Sequence, residues 1–208
     1  MILYFILLLA TAFPPGDPIA ASLESFSRVD SYSVTIRSTS DGSSQIIRYF
    51  FKRPGFVRME FVRPHRGAVL VFNPLTKKAG LRPFGFLKHF VLTLDPDNGL
   101  ITSPQGRRVD ASDLGAFLGT VKTLAEKGET EVKGNEKVGG RDALLVEVTG
   151  AMGMTVAGGV HRYLIWLDAA TLLPLKTRSF DSAGNVIEDV LMDDLRINIP
   201  LSDSLFAL

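Results

Sequence analysis

The chain has 208 residues, 46% of them hydrophobic and 22% charged, with a formal net charge of +1. That balance describes a globular chain of single-domain size and removes the strong cationic field on which non-specific nucleic-acid binding depends. No cysteine is present, which excludes a disulfide framework, a thiolate metal site, a cysteine nucleophile and an acylated N-terminal cysteine.

The N-terminal run MILYFILLLATAF is too short to span a bilayer, which takes about 20 apolar residues. Its Ala10-Thr11-Ala12 end has the small-residue pattern of a signal-peptide cleavage site, although no basic residue precedes the apolar core. Residues 1–17 are therefore read as a signal peptide, cleaved near Ala12, with a short linker, and residues 18–208 as a single exported, periplasmic domain; a retained anchor is the competing reading. Ile19, Leu23, Phe26 and Val29 then recur at helical spacing, with Pro18 suited to a first turn. From Tyr32 to Arg37 the pattern alternates, and Asp41 to Ser44 is a turn.

Ile46 to Arg63 reads as a hairpin about Arg53-Pro54-Gly55. Ile47, Tyr49 and Phe51 share one face, which Arg53 ends, and Val57, Met59 and Phe61 share a face of the second strand. Short connections favour antiparallel neighbours. Large apolar side chains ending in an arginine suggest a curved sheet around an apolar interior with a cation at its rim; an ordinary core with a solvated arginine is the plainer alternative.

Ala68 to Phe72 predicts a strand buried on both faces. Lys77 to Leu94 fits either a strand pair or a covering loop, because Pro83 and Gly85 interrupt its period. Asp110 to Lys127 predicts a helix with an apolar stripe of Leu114, Phe117, Leu118, Val121 and Leu124, capped by Asp110 or Ser112 and ended by Gly128. Gly115 and Gly119 weaken it by about 1 kcal/mol each relative to alanine, which suits either a movable lid or close packing. Lys133-Gly134-Asn135 and Val138-Gly139-Gly140 read as turns, and Leu144, Val146 and Val148 share a face. After the small, flexible stretch Gly150 to Gly159, strands are predicted over Val160 to Leu167, Leu172 to Phe180 and Val186 to Leu195. The fold class is α+β, mostly antiparallel β.

No catalytic residue, metal site or cofactor is expected. His65, His89 and His161 sit in no metal or nucleophile motif, and neither a GxSxG, a P-loop nor a GxGxxG occurs. Asp189, Asp193 and Asp194 crowd one strand with Glu188 and read as a solvated strand end rather than a cation site. Arg48, Lys52, Arg53, Arg58, Arg63 and Arg66 interleave with aromatics in the manner of a stacking platform. Overall neutrality and the export signal argue against nucleic acid as a partner; such a face could instead meet anionic lipid headgroups.

The segment KRPGFVRMEFVRPHRGAVLVFNPLTKKA resembles the periplasmic lipoprotein carrier LolA and its relatives, in Lys52-Arg53-Pro54 ending a strand, the strand that follows, and Phe72-Asn73-Pro74. The C-terminal half is similar to the wider LolA-like superfamily in Trp166-Leu167-Asp168, Leu173-Pro174, Asp181 to Gly184 and Asp194 to Asn198. The stretch between Pro64 and Asn73 is shorter than in LolA, and Met59 stands where an aromatic is common. The resemblance implies an incomplete, half-open β-barrel with helices covering the mouth, no enzymatic activity and a monomeric state. It implies a cavity for acyl chains of lipid or lipoprotein lined by Tyr49, Phe51, Met59 and Phe61, with Leu114, Phe117, Leu118 and Val121 on the inner face of a lid and Arg53 as its latch. The implied partners are an inner-membrane lipoprotein exporter and an outer-membrane acceptor. A second reading on the same fold is a protein-binding sensor or scaffold of the cell envelope, like the envelope-stress regulators that share it.

Overall fold

A computed structural model describes residues 16–84, 89–103 and 105–208. The signal-peptide reading of residues 1–15 lies outside the described residues. Helix α1, Pro18–Ser27, starts where the sequence predicts: Pro18 occupies the first turn and the Asp17 carboxylate accepts the Ile19 and Ala20 amides at 2.8 and 3.2 Å. Strands β1 (Ser31–Ser40), β2 (Ser43–Lys52), β3 (Phe56–Arg63), β4 (Val69–Asn73), β5 (Lys78–Arg82) and β6 (Leu92–Leu94) follow as an antiparallel meander. The open choice over Lys77 to Leu94 thus resolves to a strand pair.

Helix α2, Leu114–Ala125, begins later than predicted, and its cap is Asp113 rather than Asp110 or Ser112; the Asp113 carboxylate takes the Gly115 and Ala116 amides at 2.7 and 3.1 Å. Asp110 instead belongs to a short 3-10 turn at Val109–Ala111. Strands β7 (Glu129–Val138), β8 (Arg141–Thr149), β9 (Arg162–Asp168), β10 (Pro174–Phe180) and β11 (Val186–Ile197) complete the chain, before a 3-10 turn at Asp203–Phe206. Lys133-Gly134-Asn135 is not a turn. It is a bulge within β7, where pairing to β8 skips a residue between Val132 and Gly134. A lone glycine inside an alternating strand signals a bulge as readily as a turn.

Pairing β1 against β11 joins both meanders into one 11-stranded sheet, ordered β6-β5-β4-β3-β2-β1-β11-β10-β9-β8-β7. The sheet curls without closing, leaving β6 and β7 as edges, and the two helices lie in its concavity. The edges are blunted in different ways: β6 is three residues long, while β7 carries alternating charge and is exposed along most of its length.

Two clusters fill the concave face. One is aromatic, built on β1–β5 from Tyr32, Tyr49, Phe51, Leu70 and Phe72 with Phe26 of α1 and Leu114 and Leu118 of α2. The other is largely aliphatic, built on β8 and β9 from Leu144, Val146, Val148, Ile165 and Leu167 under Ile19, Val121 and Leu124. On the convex side Val69 and Val71 are covered by Phe206, which explains why β4 is apolar on both faces. Gly115 sits where the helices cross, and a Cβ there would overlap the Phe26 ring, so this glycine permits close packing; Gly119 faces open space.

Candidate functional site

The predicted cavity residues meet on the concave face, but they do not all behave alike. Tyr49, Phe51, Leu114 and Leu118 are buried at 1%, 3%, 5% and 0% exposure in the aromatic cluster, too little for a chain-sized ligand to lie beside them in this conformation. Met59 and Phe61 are only partly buried at the margin of that cluster, with Ile36, Leu81 and Met192, and Phe117 lies partly buried between it and the aliphatic cluster, edge-on to Tyr163. Val121 belongs to the aliphatic cluster instead. The resemblance implied one cavity with four of these residues on its wall and four on its lid; the structure divides them into floor, fringe and a separate core.

Arg53 ends the β2 face, as its parity implies, and its guanidinium reaches α1. Nε donates to the Val29 carbonyl at 2.8 Å, and a terminal nitrogen donates to Phe26 and Ser27 carbonyls at 3.1 Å each. The Phe26 and Ser27 carbonyls close the last turn of α1, where backbone donors run short and the helix dipole is negative, and Val29 follows just past its cap. The guanidinium also lies 5.5 Å from the centroid of the Phe26 ring, which packs 5.8 Å from Phe51. Arg53 therefore fastens α1, not α2, to the aromatic floor.

Helix α2 is held by hydroxyls that the sequence did not single out. The Tyr32 hydroxyl accepts the Leu114 amide at 3.1 Å, the first helical N–H, while the Asp113 cap takes the next two. Ser112 Oγ donates to the Val109 carbonyl at 2.7 Å, so the Tyr49 hydroxyl, 3.1 Å from Ser112 Oγ, is the donor of that pair. The Tyr32 and Tyr49 rings stack at 5.7 Å. Burial pushes both phenols well above their ordinary value, so both stay neutral as hydrogen-bonding groups. Tyr32 was legible as an inward residue of its strand; its partner 82 positions away was not.

The segment between β6 and α2 closes the other end of the concavity. It contributes Ile101 and Val109 to the aromatic cluster. Arg107 forms an ion pair with Glu188, whose side chain is 10% exposed, and the Gln105 amide donates to Ser40 Oγ at 3.3 Å. Glu188 is thus an inward residue of β11 and not part of a solvated acidic end. The neighbouring acids are also individually neutralised: Asp189 by Arg178 and Lys176, and Asp193 by Arg37. No group of three or more His, Asp or Glu suited to a metal occurs among the described residues. An open hollow of about 530 Å³ lies away from all of this, between Arg58, Arg82 and the C-terminal turn.

An uncompleted antiparallel barrel with helices seated on an apolar concave face defines the LolA-like superfamily fold. Within it, the family model described as the MucB/RseB N-terminal domain matches residues 91–207, more than half of the chain. The chain belongs to that family. Among solved structures it is similar to Pseudomonas aeruginosa MucB, determined in complex with MucA, at 17% identity and a TM-score of 0.58, over 92% of this chain and 60% of that one. It is also similar to the Mycobacterium tuberculosis lipoprotein LppX, at 13% identity and a TM-score of 0.56, over 89% and 95% of the two chains. An uncharacterised conserved protein of Thermus thermophilus matches at 12% identity and a TM-score of 0.56, over 91% and 90%. At these identities the likeness establishes the fold. No curated protein matches the chain at the sequence level.

Proposed function

We propose that this protein is a non-enzymatic, exported binding protein of the cell envelope whose concave face receives the acyl chains of a lipid or lipoprotein. The observation that carries this reading is the unequal filling of that face. Over β1–β5 a buried aromatic floor is fringed by large apolar side chains that keep part of their surface in water. An acyl chain laid along that fringe would gain about 0.8 kcal/mol per buried methylene. Beside their buried apolar contacts, the helix ends over this half are fastened by a few exchangeable hydrogen bonds, from Arg53 to α1 and from Tyr32 to α2, which an entering chain could displace. Among the described residues no helix is long and apolar enough to cross a membrane; the periplasmic location is part of this proposal, supported by the signal-like run MILYFILLLATAF. An inner-membrane exporter and an outer-membrane acceptor would be the partners of a carrier of this kind.

A second reading is favoured by family membership. MucB, over 60% of whose length this chain is similar, has been solved with MucA bound, and a domain of this family could act as a protein-binding sensor. The two separate by experiment. The protein is expressed in a host periplasm, analysed by native mass spectrometry and extracted with organic solvent. A co-purifying acylated species is expected, lost in Phe61→Glu and increased in Arg53→Leu, which weakens only the empty, closed state. An empty wild-type protein that takes up no fluorescent fatty acid but retains one partner in a pulldown would replace the carrier with the sensor.

A further inference from the structure

Successive turns of an antiparallel meander alternate between the two ends of the sheet. The β2–β3 connection carrying Arg53 lies at one end; the β3–β4 turn at 64–67 lies at the other, with the residues that follow β5 and precede β6. They touch there. The His65 ring stacks on Phe84 with centroids 5.0 Å apart and meets Phe61 edge-on at 6.5 Å. At the same end of the sheet, Phe84 after β5 and Phe90 and Val91 before β6 are 50%, 62% and 48% exposed. A cluster of exposed large apolar side chains at one tip marks an interaction site, whereas single ones scattered over a surface mean nothing.

The same tip carries uncompensated charge. Of the basic residues in the β2–β3 hairpin and the turn after it, Lys52 pairs with Asp203, Arg48 and Arg58 with Glu60, and Arg53 is spent on α1 carbonyls. Arg63 and Arg66, both exposed, have no carboxylate within ion-pair distance among the described residues. Two free guanidinium groups beside projecting aromatic side chains complement a surface that is anionic outside and apolar beneath. An extending peptide strand is a poor fit, since β6 offers an edge of only three residues.

We infer that this tip docks the protein on anionic phospholipid bilayers, with Arg63 and Arg66 at the headgroups and Phe84, Phe90 and Val91 inserted below them. The site can be tested apart from what the concave face holds, because Arg63, Arg66, Phe84, Phe90 and Val91 belong to neither of its clusters.

Vesicle co-sedimentation of the purified protein tests it, using phosphatidylcholine alone and an equal mixture with phosphatidylglycerol. Binding is expected on the mixed vesicles, weakening as salt rises. Arg63→Ser with Arg66→Ser should reduce it about thirty-fold, the equivalent of about 1 kcal/mol for each cation near the surface. Phe90→Ser with Val91→Ser should reduce it at least about ten-fold by removing the inserted area. Arg37→Ser with Arg48→Ser, which removes equal charge elsewhere on the sheet, should leave most of it. The inference is overturned by wild-type protein that ignores anionic vesicles, by equal losses in both arginine pairs, or by capture of a protein through this tip without vesicle binding.

Discussion

The two halves of the concave face are built to different standards of closure. Under α2, against β8 and β9, Val121, Leu124, Val146, Val148, Ile165 and Leu167 are all fully buried, with Ile19 of α1 completing the layer. The partly buried fringe of this half is short, made of Ala125, Met154, Val156, Ile187 and Phe117, which it shares with the other half. Over β1–β5 the floor is also deeply buried, but the fringe is longer and bulkier, with Ile36, Met59, Phe61, Leu81, Leu94 and Met192. Interiors of proteins are close-packed, so an incompletely covered layer of large side chains is either exposed by necessity or kept for something else to cover. The aliphatic half is the permanent core that holds the half-barrel together. The proposed acyl-chain site lies over the aromatic half, where more large side chains keep surface in water. Arg53 and Tyr32 both act on that half, one on each helix.

The sharpest way to break this contrast is to remove equal volume from each half. Leu124→Ala, in the sealed half, should cost about 2–5 kcal/mol of stability, as cavity-forming substitutions of fully buried leucine do. Met59→Ala, at the open margin, should cost about 1 kcal/mol, since part of that side chain is already in water. Denaturant midpoints measure both, and equal losses would mean that the halves are one uniform core.

A smaller effect comes with alkali. Burial pushes the Tyr163 phenol up to about 12, with Glu188 adding to the shift and Arg107 opposing it. Burial raises Tyr32 and Tyr49 as well. A phenol with a raised folded-state pKa contributes stability that is fully present below its unfolded value, about 10, and lost as pH rises through the folded value. Stability should therefore be flat in tyrosine ionisation up to about pH 10 and fall between there and about 12. Tyr163→Phe should flatten part of that fall in a pH series of melting temperatures. Tyrosinate absorbance growing in the folded protein near pH 10 would show these phenols to be solvated.

Much of this organisation was legible in local pattern. Period-two alternation set the faces of β2 and β3, with Arg53 at their end, and the stripe from Leu114 to Leu124 marked the buried side of α2. What could not be read depends on contacts distant in sequence. Nothing near Glu188 distinguishes it from Asp189, yet one points inward to Arg107 and the other outward to Arg178. Three side chains near the start of α2 can cap a helix, and the choice of Asp113 was settled by where the preceding 3-10 turn ends. The division of the eight cavity residues between two clusters was hidden because one helical stripe spans both halves of a curved sheet. The exposed tip around Phe84 and Phe90 carried no periodic signal at all, since Pro83 and Gly85 break it.

Hydrogen exchange with and without a bound fatty acid tests most directly whether the aromatic half is the part that opens. If it is, ligand should speed exchange at the end of α1 and the first turn of α2, where Arg53 and Tyr32 let go, and leave β8 and β9 unchanged. Faster exchange in β8 and β9, or protection rising uniformly over both halves, would contradict it.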